Sequence, residues 1–478
     1  MSSKVSVGQV PIAVDRQSQN AVPTLPLSHS QEMMLFWNEL TPSLPLYNVP
    51  FGFHINGPLN ITALENAFTL VRARHQILRT NYVTAHGEPA QLLRPPAHLT
   101  IPVIDCSLKG SKPSAAEIQQ LIQQEARRPF DLKSDPMLRV ALIRSAPEQH
   151  ALVITLHHIV ADGWSLGLLV QELTPAYEAF SRGEEPHLPD LPMQYADFAI
   201  WEKESFQKRA FQDTVAFWKE QMSGCPDVCE LIPPDHPRPA QHTFSGDVQK
   251  ILLPLEFFRR LTELGQRHGA SAFMVTLAGL LFMLQRYTGK TDVVLGVPMA
   301  NRAREEFLGI VGCFINQVPI RCDFSGDPSF TVFLDQVRER TLKALFHQEM
   351  PFTEIVRLLR PKRLPNQSPL FQVEFVYQSY EMPLPKWPGM KITRAEIETA
   401  TSKFDLSVIV EVREEFEIKF EYNTDLFEAG SIRSMLRRYE QILHTLLENP
   451  RLHLSDFPTG FPCPIERTAA SVIARPEA

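Results

Sequence analysis

The chain has 478 residues, a net charge of -7, 44% hydrophobic and 21% charged residues. That length is several times an ordinary domain, so two lobes are expected. The balance is ordinary for a soluble globular protein and leaves no basic footprint, which argues against nucleic-acid binding. The longest nearly apolar run, 272–284, is too short for a membrane span and suits a buried helix.

Residues 1–24 are polar, without periodicity, and are read as a flexible leader with no signal-peptide core. Ser28 and Gln31 have capping-box spacing and open a helix through Trp37. Residues 47–54 read as a strand. Thr62 and Glu65 are expected to cap the next helix, with Leu64, Phe68 and Val71 on one face. Ser114 and Glu117 cap another, which Pro129 stops. Strands follow at 137–145 and 150–158. The domain plan is an N-terminal lobe at 25–185, a Pro-rich linker and inter-lobe helix at 186–245 and a C-terminal lobe at 246–460, ahead of a tail at 461–478. A helix is expected over 195–222. In the second lobe, strands are expected at 248–253, 291–297, 371–377, 404–412 and 416–422. Its helices are expected at 255–268, 270–287, 330–347 and 428–447. Six cysteines (Cys106, Cys225, Cys229, Cys313, Cys322, Cys463) are scattered without a paired spacing, so reduced thiols in a cytoplasmic protein are expected.

The chemistry concentrates at 151–169. An apolar strand runs into His157-His158-Ile-Val-Ala-Asp162-Gly163, and an amphipathic helix follows from Ser165. If the strand persists, alternation sends His157 and His158 to opposite faces. One histidine then faces a cavity while the other anchors the loop. Asp162 can hold an arginine or fix the turn, and Gly163 lets a backbone N–H approach a substrate. A base, a carboxylate and an oxyanion donor thus lie within seven residues. Adjacent histidines also fit satisfied polar residues or half a metal site. Opposite-facing histidines chelate poorly, however, and no helpful Cys or Glu lies nearby, so no metal is expected.

The chain resembles the condensation domains of nonribosomal peptide synthetases. His157-His158-x3-Asp162-Gly163 is similar to that family's core signature. Ser28-x-x-Gln31 with Trp37, Arg74-His75-x-x-Leu78-Arg79-Thr80 and Tyr195-x-Asp197-Phe198-Ala199-x-Trp201 resemble three further motifs. Ile310 to Asn316, ending at Arg321, resembles a fifth; His347-Gln348-x-x-Pro351-Phe352 and Ser368 to Gln372 resemble the last two. The order holds over about 25–460. The resemblance implies an α/β fold of two chloramphenicol-acetyltransferase-like lobes, a V-shaped pseudo-dimer with a central tunnel. It implies an acyltransferase that joins a carrier-bound acyl or peptidyl thioester to an amine or hydroxyl acceptor, forming an amide or ester. The phosphopantetheine arm of partner carrier proteins delivers the acyl group, and no cofactor of the chain's own is expected.

Carried over by residue, His158 positions or deprotonates the nucleophile. His157 is structural, Asp162 pairs with an arginine (Arg302, or else Arg321), and the Gly163 N–H faces the thioester. Asn316, Trp164 and Tyr47 are expected along the tunnel. Gln317-Val-Pro319 departs from the family pattern, and a proline there suggests an altered strand. The chain shows no adenylate-binding loop and no carrier attachment serine. It is therefore read as a free-standing, monomeric enzyme whose partners are carrier proteins, with no membrane. Two readings share the histidines: an acyl-CoA-dependent O-acyltransferase of the wax-ester type and a non-catalytic carrier-docking platform.

Overall fold

Apolar strands and half-buried helices alternate along the chain and assemble into two mixed α/β lobes. The computed structural model describes residues 24–107, 113–205, 211–227, 229–364, 366–378 and 382–457. The leader up to residue 23, the tail at 461–478 and Cys463 lie outside the described residues.

The first half comprises β1 (Thr24–Pro26), α1 (His29–Leu40), β2 (Asn48–Asn56), α2 (Ile61–Arg74), β3 (Thr80–Ala85), β4 (Glu88–Leu93) and β5 (Val103–Asp105). Next come α3 (Ala115–Arg127), β6 (Leu138–Ala146), β7 (Gln149–His157) and α4 (Gly163–Ser181). The capping boxes at Ser28/Gln31 and Ser114/Glu117 are present. The cap of α2 is Asn60, whose side chain accepts from the Ala63 N–H, rather than Thr62. Asn is as good a cap as Thr, and Glu65 is engaged elsewhere, accepting from the Ile101 N–H at 2.9 Å. Leu64, Phe68 and Val71 of α2 are buried in the lobe's core as their spacing demands.

The helix expected over 195–222 is two, α5 (Tyr195–Ser205) and α6 (Phe211–Gln221). The second half follows with β8 (Gly246–Leu253), α7 (Leu255–Arg267), α8 (Ala272–Thr288), β9 (Asp292–Met299), β10 (Asn316–Asp323), α9 (Phe330–Phe346) and α10 (Phe352–Leu359). It ends with β11 (Val373–Gln378), β12 (Lys391–Arg394), β13 (Leu406–Val412), β14 (Phe416–Asn423) and α11 (Ala429–Glu448). Helix α8 is buried from Ala272 to Gln285 apart from Phe273, as its apolar run predicts. Among the described residues no single helix is long and apolar enough to cross a membrane, and the five described cysteines are free.

The strands form a five-stranded sheet of order β12-β2-β7-β6-β5, a six-stranded sheet of order β10-β9-β11-β13-β14-β8 and a three-stranded sheet of order β1-β4-β3. Pro319 is accommodated because β10 is the edge of its sheet, where a missing N–H is tolerated. The halves exchange elements. Strand β12, late in the chain, pairs antiparallel with β2. Phe307, Ile310, Val311, Cys313 and Phe314 sit in the core of the N-terminal lobe. A division at 245/246 therefore does not follow the sheets: two pieces of the second half complete the first lobe.

Candidate active site

Strand β7 lies between β2 and β6, with His157 opposite Asn48. The regular strand ends at His157. The His158 N–H still donates to the Tyr47 carbonyl at 2.8 Å, and the Val160 N–H then turns back to the His157 carbonyl at 3.0 Å. Ile159, Val160 and Ala161 are fully buried, so this turn is pinned from below. His157 is buried and His158 half-buried, the divergence that alternation anticipates.

The histidines differ in their bonds. His157 Nδ1 accepts from the Ile159 N–H at 3.1 Å, which places its proton on Nε2. Burial and the neighbouring charges push it down to about 3. His157 is a neutral turn-former. Burial, then the Lys403 ammonium, pushes His158 down to about 4, with Asp162 acting in the opposite direction. His158 Nδ1 lies 3.5 Å from the Cys313 thiol, which burial holds in its protonated form.

Asp162 caps α4. Its Oδ1 accepts from Ser165 N–H (2.9 Å) and Ser165 Oγ (2.7 Å), and its Oδ2 from the Phe314 N–H (3.1 Å). Arg302 Nη2 donates to Oδ1 at 3.0 Å, with both side chains 2% exposed. Arg302 Nη1 donates to the carbonyls of Phe307 (2.6 Å) and Ile310 (2.8 Å), gathering the crossing segment onto the same carboxylate. A buried pair with this many bonds, only Arg302 Nε lacking a partner, is architecture, and removing either side chain leaves an uncompensated charge. Gly312 shares this junction because a Cβ there would meet the Tyr195 ring at 1.8 Å.

Gly163 is the first residue of α4, where N–H groups have no intrahelical partner. A Cβ added there would meet nothing within 4 Å. The protein's own packing does not require glycine at this position.

Tyr47 stands beside the motif, its ring centroid 6.0 Å from that of His157, and Lys403 Nζ lies 4.7 Å from the Tyr47 ring centroid. Trp164 donates from Nε1 to the Leu308 carbonyl at 2.9 Å and so grips the crossing segment. Asn316 is committed to backbone: Nδ2 donates to the Gln348 (2.8 Å) and Met350 (2.6 Å) carbonyls, and Oδ1 accepts from the Phe352 N–H (3.0 Å). Its amide holds the loop before α10 and has no donor left for a ligand. Arg321 is not a partner of Asp162. It faces Asp292, with Nε and Nη2 each 2.8 Å from a carboxylate oxygen. The position on β10 explains this, since Arg321 lies five residues beyond Asn316, at the end of the strand that pairs with Asp292 and Val293.

Sequence reasoning missed three participants. Cys313 lies inside a motif but has no chemical signal there. Ser165 bridges Asp162, Arg302 and Gly312 (Ser165 Oγ to the Gly312 carbonyl, 2.9 Å). Lys403 is brought to the histidines only by the tertiary fold.

The profile of the Condensation domain family matches residues 22–459. The chain is 35% identical over 460 residues to a linear gramicidin synthase of Brevibacillus parabrevis, covering 96% of this chain and 6% of that protein. It is 35% identical over 450 residues to the phosphinothricin tripeptide synthetase PhsC of Streptomyces viridochromogenes, covering 93% of this chain and 41% of that protein. The chain thus spans a small part of these relatives. Its fold is similar to the X-domain from teicoplanin biosynthesis in complex with OxyB (TM-score 0.81, 24% identity, 93% of this chain and 98% of the other). It is also similar to the first condensation domain of the calcium-dependent antibiotic synthetase (TM-score 0.76, 20% identity, 91% of this chain and 99% of the other).

Proposed function

We propose that this chain, which belongs to the Condensation domain family, forms an amide by transferring an acyl or peptidyl group from a carrier-bound thioester to an amine. The observation that carries this reading is the placement of His158 beside the N-terminus of α4, on a turn that Asp162 and Arg302 hold against the 307–314 segment. In this reading the phosphopantetheine arm of a carrier protein brings the thioester to the turn. The Gly163 N–H polarises the thioester carbonyl as the amine attacks. A proton on His158 Nδ1, beside the Cys313 sulfur, leaves Nε2 to accept the amine proton. The new C–N bond forms, the C–S bond breaks, and that proton passes to the departing thiolate. A hydroxyl acceptor would follow the same course to an ester.

The test is intact-protein mass spectrometry. Acyl-loaded carrier proteins are incubated with wild type or His158→Ala, with amines and alcohols supplied free and carrier-bound. Histidine-dependent unloading of the donor, with the acyl mass appearing on an acceptor, is the expected result. Carriers that bind while no donor is ever consumed would sink the reading in favour of a docking platform. Turnover of free acyl-CoA with a long-chain alcohol would favour an O-acyltransferase.

A further inference from the structure

Lys403 comes from the far end of the chain, lies in the loop before β13 and is half-buried. Among the described residues its ammonium makes no ion pair; its contact is the Tyr47 ring, 4.7 Å from Nζ to the centroid. That ring belongs to the residue whose carbonyl holds the His158 N–H. The loop is clamped on both sides of the lysine. Before it, Ser402 is fully buried, its N–H donating to the Phe244 carbonyl at 2.9 Å, and Thr401 bridges Ser245. After it, Asp405 accepts from Arg238 Nη1 at 2.8 Å, and the Asp405 N–H donates to the Gln372 carbonyl at 3.0 Å. From so fixed a base the side chain reaches the Tyr47 ring, beside the motif.

We propose that Lys403 is a positioning residue for the transfer: its ammonium, seated on the Tyr47 ring, sets a fixed positive charge beside the turn that carries His158. This rests on the reading of His158 given above. The other charged and titratable groups around the imidazole do not supply that role. Asp162 acts the other way and is spent on Arg302. His157 is neutral, and burial holds the Cys313 and Tyr47 protons on. Glu374 on β11 accepts from Ser407 Oγ at 3.1 Å and from Gln317, and burial raises its carboxyl. Glu421 on β14, in register with Ser407, is pushed up to about 7 by burial. Glu421 is therefore protonated in the range where His158 would titrate, and it leaves the lysine's field uncancelled there.

The test follows the His158 imidazole by NMR in the full chain with labelled histidine, assigned by its loss in His158→Ala. No substrate is needed, so the result is independent of whether the condensation reading holds. In Lys403→Met the His158 titration is expected to rise by about one pH unit, the effect of a nearby charge. Lys403→Arg should leave it where wild type has it, and Glu421→Gln should not raise it. In the transfer assay the acid limb of kcat/KM should move up with the imidazole in Lys403→Met. Melting curves check folding, and Lys403→Gln replaces Lys403→Met if that variant does not fold. An unmoved His158 titration in the lysine-less protein, whatever its activity, would overturn the proposal.

Discussion

The two lobes contain the same strand-turn-helix unit and use it differently. In the first, β7 ends at His157, five residues intervene and α4 begins at Gly163; in the second, β14 ends at Asn423, five residues intervene and α11 begins at Ala429. Position by position, His157, His158, Asp162 and Gly163 correspond to Asn423, Thr424, Glu428 and Ala429. The first turn is sealed inward, onto the crossing 307–314 segment, through Asp162 and Arg302. The second closes outward: the Glu428 N–H donates to Asp235 at 2.9 Å, and the Glu428 side chain meets His236 on the surface. The backbone unit supplies a place to put side chains, and the side chains together with the facing lobe decide whether that place does chemistry.

The comparison breaks most sharply if its two second positions behave alike. His158→Ala should lower kcat/KM for acyl transfer by about 10²–10⁴, the range expected of a general base. Thr424→Ala, at an exposed site, should change it less than about twofold. Equal effects, read by single-turnover unloading of a donor carrier, would sink the assignment.

The caps come next. Arg302→Ala should cost about 3–5 kcal/mol in urea unfolding, because the Asp162 carboxylate stays buried with its cation gone. Glu428→Ala should stay within about 0.5 kcal/mol, since that side chain is exposed and does not cap its helix. Arg302→Lys should not rescue, because one ammonium cannot fan to Asp162, Ser165, Phe307 and Ile310 as the guanidinium does.

Gly163→Ala converts the first turn into its counterpart at the helix start. With open space where the Cβ would go, the melting temperature should hold or rise slightly. Activity should fall about 10²-fold if a substrate must approach this N–H closely. Full activity with full stability would mean the N–H is not used.

Much of this was legible beforehand, for identifiable reasons. Capping boxes at Ser28 and Ser114 and the apolar stripe of α2 are local signals, so they could be read directly. The hairpin of β3 and β4 went unread although its turn residues, His86 and Gly87, both have positive φ; a His-Gly pair is a weaker signal than Asn-Gly. The exchange of β12 and the 307–314 segment into the first lobe was not legible, because apolar patterning shows that a segment is buried but not in which core. Sequence could rank Arg302 ahead of Arg321 as the partner of Asp162 but could not place either, and strand position then set Arg321 against Asp292. Lys403 had no local signal at all.

The smallest expected effect tests the first positions of the two turns. His157 Nδ1 accepts from the Ile159 N–H at 3.1 Å, and Asn423 Oδ1 accepts from the Asp425 N–H at 2.9 Å, the same bond two residues on. The N-terminal turn, unlike its counterpart, makes this bond with a group that can titrate. An unfolded histidine binds its proton near pH 6.5, but in the fold His157 and His158 do so only near about 3 and about 4. As pH falls below 6.5 the unfolded chain takes up protons that the folded chain refuses. Stability is therefore fully present above that pH and is lost on the way down to the folded values. Each such histidine contributes a slope of about 1.4 kcal/mol per pH unit in that window. His157→Asn, which copies the second lobe's solution, should keep the turn's bond and remove one histidine's share of the slope. Urea unfolding of both proteins between pH 7 and pH 4.5 measures it. Parallel pH dependences would show that His157 is not held neutral by the fold, and the two turns would then differ less than their bonds imply.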